Sequence, residues 1–256
     1  MAGDVREFNH LEKYCMFVGY PRSGHSLVGS LIDAHPNAVI AHELDALAHI
    51  EEGVSRQQLF QLLIDNSRTF TESGRRWQGY NYEVPAQWQG RYTELKVIGD
   101  KKGGASSISL ATKPGLLTRL QETIDLEIAF IHVIRNPFDN ISTMFRRRRS
   151  QDLGVVCEAY FSRCDAMEEI KSCTEPGRLL DVRYEAFVRA PKTCLLRLCD
   201  FLGLECRDDY LEACTSVVFN APSKTRYAIP WSVKDIAAVQ EKIGSYAFLQ
   251  GYSYHE

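Results

Sequence analysis

Five places in the chain carry polar side chains suited to holding or transferring an anion: Arg22 to Ser26, Glu43, Lys101, Arg135 and Tyr184. Arginine and lysine supply positive charge, serine a hydroxyl, and a partly buried glutamate a general base. Each place follows a short apolar run that reads as a strand. In a parallel sheet such positions converge on one edge, where ligands of open α/β sheets bind. That convergence is stronger evidence than any one residue.

The strongest local signal is Gly19-Tyr20-Pro21-Arg22-Ser23-Gly24-His25-Ser26. An apolar run, Tyr14 to Val18, precedes it, and Leu27, Val28, Leu31 and Ile32 follow at helical spacing. Strand, glycine-containing turn and helix in that order offer backbone N–H groups and a helix dipole to an anion. Gly19, Gly24 and Ser26 fit the phosphate-loop spacing G-x-x-x-x-G-K-[ST], but His25 stands where that pattern has lysine. The lysine reaches the β- and γ-phosphates, so its absence argues against ATP or GTP as donor. A cation is offered at Arg22 instead. The bland alternative is an ordinary strand–helix turn.

The elements that must position these groups follow from hydrophobic patterning. Strands are expected at 37–41, 95–98, 127–134 and 178–182, besides 14–18. Helices are expected after each, with Ser55 as N-cap of one and Asn136-Pro137 opening another, proline being favoured at the first helical position. Arg146 to Arg149 fall in the last turn of that helix, where cations suit the dipole. Asp100, Lys101 and Lys102 fall beyond the 95–98 strand. From Thr71 to Arg91, Gly74, Gly79, Pro85 and Gly90 interrupt Trp77, Tyr80, Tyr82 and Trp88. This reads as a long aromatic loop, either a packed surface excursion or an acceptor-binding wall. Strands alternating with helices predict an α/β fold, a three-layer sandwich with a central parallel sheet, as a single domain over residues 1–256.

Composition narrows the partners. The net charge of -3 over 256 residues gives no global basic field for nucleic acid. The eight cysteines include no C-x-x-C pair and none has histidines at zinc-ligand spacing, so no metal is expected. Reduced thiols in a cytoplasmic protein are the expectation. The first thirteen residues have no apolar signal core, and no run approaches the length of a membrane span.

Four segments together carry a resemblance. Tyr20-Pro21-Arg22-Ser23-Gly24-His25-Ser26 is similar to the 5′-phosphosulfate loop of sulfotransferases. Arg135-Asn136-Pro137-Phe138-Asp139, with Ser142 and Thr143, resembles their 3′-phosphate motif. Val182-Arg183-Tyr184-Glu185 and Cys199-Asp200-Phe201-Leu202-Gly203-Leu204 resemble two later family segments. The order is the family's, over residues 15 to about 230. The resemblance implies a P-loop-like phosphosulfate-binding loop and transfer of a sulfuryl group from 3′-phosphoadenosine-5′-phosphosulfate (PAPS) to a hydroxyl or amine, leaving 3′-phosphoadenosine-5′-phosphate (PAP), without a metal.

By position, Arg22, Ser23, Gly24, His25 and Ser26 would hold the 5′-phosphosulfate. Arg135 would clamp the 3′-phosphate with Ser142 or Thr143, and Tyr184 would lie near the adenine. Ser223 and Lys224 resemble a serine–lysine pair that holds leaving phosphate oxygens. Lys101 would stabilise the bridging oxygen with Arg22 beside it; read alone, Lys101-Lys102 is a solvated charge pair. Asp33-Ala34-His35-Pro36 followed by Glu43 is similar to tyrosylprotein sulfotransferases, which implies Glu43 as base, with His42 its competitor. The acceptor, a small molecule, sugar or peptide, stays open, as does oligomeric state. The alternatives are a phosphotransferase with a degenerate loop and a non-catalytic nucleotide-binding module.

Overall fold

The computed structural model describes residues 8–147 and 152–255. Its strands are β1 (Lys13–Val18), β2 (Ala38–His42), the two-residue β3 (Arg76–Trp77) and β4 (Tyr80–Asn81), β5 (Val97–Lys101), β6 (Glu127–Ile134) and β7 (Leu179–Arg183). Its α-helices are α1 (His25–Asp33), α2 (Ala46–Glu52), α3 (Arg56–Glu72), α4 (Gly104–Thr112), α5 (Leu116–Ile124), α6 (Pro137–Arg147), α7 (Leu153–Cys173), α8 (Tyr184–Arg189), α9 (Pro191–Leu202), α10 (Asp208–Ser216) and α11 (Val233–Gly244). Five strands form one parallel sheet in the order β2-β5-β1-β6-β7. The fold is the α/β three-layer sandwich expected from the sequence.

Both faces of the sheet are covered, which is why β1 and most of β6 are continuous apolar runs rather than alternating ones. Alternation reappears in where the side chains go. Tyr14, Met16 and Val18 of β1 enter a core shared with α2, α3, α5, α6 and α7. Cys15 and Phe17 enter a second core shared with α1, α9 and α10. The helices start as their sequences direct: Ser55 and Gln58 form a capping box ahead of α3. Asn136 Oδ1 accepts from the Phe138 amide ahead of α6.

Three expectations are corrected. One helix is expected between the 95–98 and 127–134 strands, and the structure has two, α4 and α5. Strand β5 runs on through Lys101, so Asp100 and Lys101 are strand residues rather than loop residues. Within the aromatic stretch, α3 continues to Glu72, and β3 and β4 pair as a hairpin. Gln78 and Gly79 at its tip both have positive φ, 52° and 88°, the backbone that two-residue hairpin loops require.

Two buried ion pairs fix the periphery. Asp33, at the end of α1, pairs with Arg75 at 2.8 Å and accepts from the Ile40 amide and the Ser67 hydroxyl. It thereby anchors the base of the hairpin. Asp139 pairs with Arg226 at 2.7 Å, and also accepts from the Arg226 amide. This pins the 225–228 turn against the first turn of α6. Removing one member of such a pair leaves a buried charge uncompensated and costs about 3–5 kcal/mol. Arg226→Met is therefore expected to lower stability by about that amount in urea unfolding. The double variant with Asp139→Leu should recover part of it. A single variant as stable as the parent would show that the pair holds nothing.

Candidate active site

A cavity of about 750 Å³ opens at the carboxyl edge of the sheet. The loop between β1 and α1 forms its floor. Gly24, the N-cap of α1, has φ 111°, and a Cβ there would lie 2.4 Å from the Tyr184 ring. Only glycine lets the loop sit on that tyrosine. The first helical bond of α1 runs from the Leu27 amide to the Gly24 carbonyl. The amides of Gly24, His25 and Ser26 therefore stand in the positions that leave a helix N-terminus open to an anion. Arg22 lines the cavity with a left-handed φ of 72°. Burial and the neighbouring Arg147 both depress its pKa.

His25 does not act as a cation. Its Nε2 lies 3.1 Å from the Val18 carbonyl, so that nitrogen carries the hydrogen and donates it. Burial, with Lys101 and His132 adding repulsion, pushes its pKa down to about 3. A Cβ on Gly103 would lie 2.3 Å from the ring, so this glycine makes room for it. Ser23 is likewise internal to the loop: fully buried, its hydroxyl donates to the Tyr20 carbonyl at 3.1 Å. The loop is further tied down where the Gly19 amide donates to Ser107 Oγ of α4 at 2.6 Å.

At the far side, Arg135 is almost fully buried, yet its partners are all neutral oxygens. Its Nη1 donates to the Arg22 carbonyl at 3.1 Å and to Thr143 Oγ1 at 3.4 Å. Its Nη2 donates to the Ser223 carbonyl at 2.7 Å and to Thr225 Oγ1 at 3.4 Å. Its Nε is buried without a hydrogen-bond partner, and its guanidinium sits 5.5 Å above the Tyr184 ring. A desolvated cation without a carboxylate attracts an anion. Of the two hydroxyls expected here, Thr143 lines the cavity. Ser142 faces the other way and accepts from Trp231 Nε1 at 3.0 Å. Ser223 and Tyr184 line the cavity, whereas Lys224 does not.

Glu43 enters from the end of β2 with a left-handed φ of 61°. Lys101 Nζ donates to it at 2.6 Å and to Ser26 Oγ at 3.1 Å, and Lys102 stands 3.7 Å from its other oxygen. Lys101 is only 2% exposed, and burial depresses its pKa against the pull of Glu43. It touches the cavity wall only through Ser26 and Glu43, while Lys102 lines the cavity directly. His42 does not line the cavity: its ring stacks on Phe70 at 3.9 Å and meets Trp77 edge-on at 5.2 Å. Burial there pushes its pKa down to about 3. The chain leaves β2 at His42 and turns left-handed at Glu43, and this separates the two side chains.

The roof was legible only as aromatic composition. Trp77, Tyr80 and Tyr82 of the hairpin region and Phe219 opposite line the cavity. Tyr80 meets Phe219 edge-on at 5.8 Å, and Arg147 Nη2 donates to the Gln78 carbonyl at 3.2 Å. Arg146 also lines the cavity; Arg148 and Arg149 lie outside the described residues. Thr225 and Lys102 are site residues that the motifs gave no reason to choose. Among the described residues no group of His, Cys, Asp and Glu is placed to hold a metal ion, and no helix is long and apolar enough to cross a membrane.

With this geometry in place, residues 16–209 match the sulfotransferase family model, and the chain belongs to that family. No curated protein matches it in sequence. Among solved structures it is similar to the sulfotransferase domain of the Synechococcus PCC 7002 olefin synthase. The identity is 17%, with 93% of this chain and 97% of that one covered, at a TM-score of 0.57. It is also similar to a Mycobacterium avium sulfotransferase: 10% identity, 95% and 78% coverage, TM-score 0.57. A mouse sulfotransferase complexed with PAP aligns at 15% identity, 96% and 90% coverage and TM-score 0.50.

The neutral imidazole of His25 generates a pH prediction. Its folded pKa near 3 lies below the unfolded value of about 6.5. The unfolded chain therefore takes a proton that the fold refuses. This contribution is whole above pH 6.5 and is lost as the pH falls toward 3, at about 1.4 kcal/mol per pH unit. His25→Gln keeps an N–H donor and removes the titration. Between pH 7 and pH 5 the parent should lose about 2 kcal/mol more than the variant in urea unfolding. Equal losses would mean that the histidine is charged in the fold.

Proposed function

We propose that the chain, as a single sulfotransferase domain over residues 1–256, transfers a sulfuryl group from PAPS to an acceptor hydroxyl or amine, with Glu43 as base. One observation carries this reading: a single cavity joins two separate anion sites, the amides of the β1–α1 loop with Arg22, and Arg135 with Thr143. A ligand with phosphate-like groups at both ends fits that pair, and the partnerless Nε of Arg135 and the sterically required Gly24 support it. PAPS, when bound, supplies the sulfuryl group and a phosphate leaving group.

The residues divide the work. The amides of Gly24, His25 and Ser26 and the Arg22 guanidinium would hold the 5′ end, and Arg135, Thr143 and the Ser223 segment the 3′-phosphate. Tyr184, packed under Gly24 and Arg135, would fix the nucleoside between them. Charge develops on the bridging oxygen as transfer proceeds, and prealigned cations count most there. Arg22 and Lys101, one hydrogen bond from the loop at Ser26, would serve this. Glu43 would take the acceptor proton, held ready by Lys101 and Lys102. His42, wedged against Phe70 and Trp77, is left out of the proposal. The rings of Trp77, Tyr80 and Phe219 would line the acceptor's path with an apolar face. All eight cysteines are free, which agrees with a reducing compartment such as the cytoplasm.

Two measurements test this. PAP in EDTA should raise the melting temperature by several degrees, since ligand at about 100 times its dissociation constant adds about 2.7 kcal/mol. ATP should not match it, and Arg135→Ala should abolish most of the shift. Stabilisation by ATP with Mg²⁺ and not by PAP would overturn the donor assignment. Glu43→Gln should lower PAP release from PAPS by about 10²–10⁴-fold, with 4-nitrophenol, a sugar and a tyrosine peptide as acceptors. Its PAP affinity should stay near the parent's. A fully active variant would remove Glu43 as base.

A further inference from the structure

Glu43 occupies a backbone conformation that disfavours it. Its φ of 61° falls in the left-handed region, which disfavours a residue with a Cβ, and Asp45 follows in the same region at 69°. Two such residues within three positions persist only if something outside the turn holds them. Helix α2 starts immediately afterwards, and its N-cap, Asp45, makes no side-chain capping bond. The turn therefore lacks the usual local support.

The support comes from β5. Asp100 Oδ1 accepts from the Leu44 amide at 3.2 Å, and Oδ2 accepts from the Ala46 amide at 2.9 Å. One carboxylate thus performs the capping that Asp45 does not, from a strand 54 residues away in sequence. It is 4% exposed. Burial pushes its pKa up to about 6, while the two amides and Lys101 pull it back. The next residue, Lys101, holds the Glu43 carboxylate itself. Consecutive side chains of one strand end thus grip the backbone of the turn and its functional group.

We infer that Asp100 is the positioning residue for Glu43, holding the left-handed turn at residues 43–46 so that the carboxylate faces Lys101 and the cavity. This rests on the reading of Glu43 as base. Asp100 does not line the cavity, so it acts on the reaction through the Glu43–Lys101 pair, whose turn it holds and whose lysine its charge neighbours. Asparagine at position 100 keeps the shape but presents one N–H₂ to an amide that needs an acceptor, so one of the two bonds is lost.

The test is a double-mutant cycle with a structural readout. Asp100→Asn should reduce PAP release from PAPS at least tenfold, scored with 4-nitrophenol and with water alone as acceptor. PAP affinity should stay within about twofold of the parent's. In the Glu43→Gln background the same substitution should cost nothing further, because the group it positions is already gone. Hydrogen exchange of the Leu44 and Ala46 amides should accelerate at least tenfold, with sheet amides unchanged. Asp100→Ser, smaller and still able to accept one bond, repeats the cycle if the asparagine variant folds poorly. Independent losses in the two backgrounds, unchanged turnover, or a parallel loss of PAP affinity would overturn the inference. An active Glu43→Gln single variant would instead sink the assignment of the base, and the inference with it.

Discussion

Arg135 is the interaction on which the site depends. A guanidinium cannot shed its charge, so once buried it must gather acceptors. It draws them from the loop after β1, from α6 and from the 223–225 segment. These stretches are far apart in sequence, and the sheet alone does not bring them into register. Carbonyl and hydroxyl oxygens take its Nη donors without neutralising it, leaving positive charge on a buried side chain at the cavity wall. The same contacts that assemble the site therefore keep a buried positive charge at its wall.

The Asp139–Arg226 pair works beside it in the opposite manner. There the charges cancel, and the result is fixation rather than binding. Two arginines thus meet the same short segment: Arg226 belongs to it and locks it to α6, and Arg135 uses its carbonyl and hydroxyl oxygens as ligands. A motif that contributes Arg135 and Asp139 from one helix start serves both purposes, because positions at that helix start face the cavity and the packed turn respectively.

Much of this was legible. The apolar runs at 14–18 and 127–134 gave β1 and β6, since a strand covered on both faces is mostly apolar, Glu127 and His132 being the exceptions in β6. Arg22, Glu43, Arg135 and Tyr184 were all readable as residues following strands, and the family motifs named the same positions. What stayed hidden depended on rotation about a helix or on distant partners. Ser142 and Thr143 are equivalent by spacing, but one turns to Trp231 and the other to Arg135. His42 and Glu43 are neighbours separated by the left-handed turn that begins where β2 ends. Helix α4 has weak propensity in its glycines and serines, and it exists because the core and the Gly19–Ser107 bond hold it. Asp100 looked like part of a solvated charge run, and only the fold shows two amides converging on it.

The neutral histidine in the loop also bears on how such a chain can change its chemistry over time. Placing a lysine at position 25 is the shortest route in sequence from this loop to the G-x-x-x-x-G-K-[ST] pattern. That lysine would have to bring a permanent charge into a space shaped for a flat, uncharged ring, bonded to the Val18 carbonyl and seated against Gly103. It would also meet the repulsion of Lys101, which already helps to keep the imidazole uncharged. The single-step path is therefore closed by the loop's own packing. A lysine there would need the surroundings at Lys101 and Gly103 refitted first, so the histidine acts as a ratchet that holds the loop in its present form.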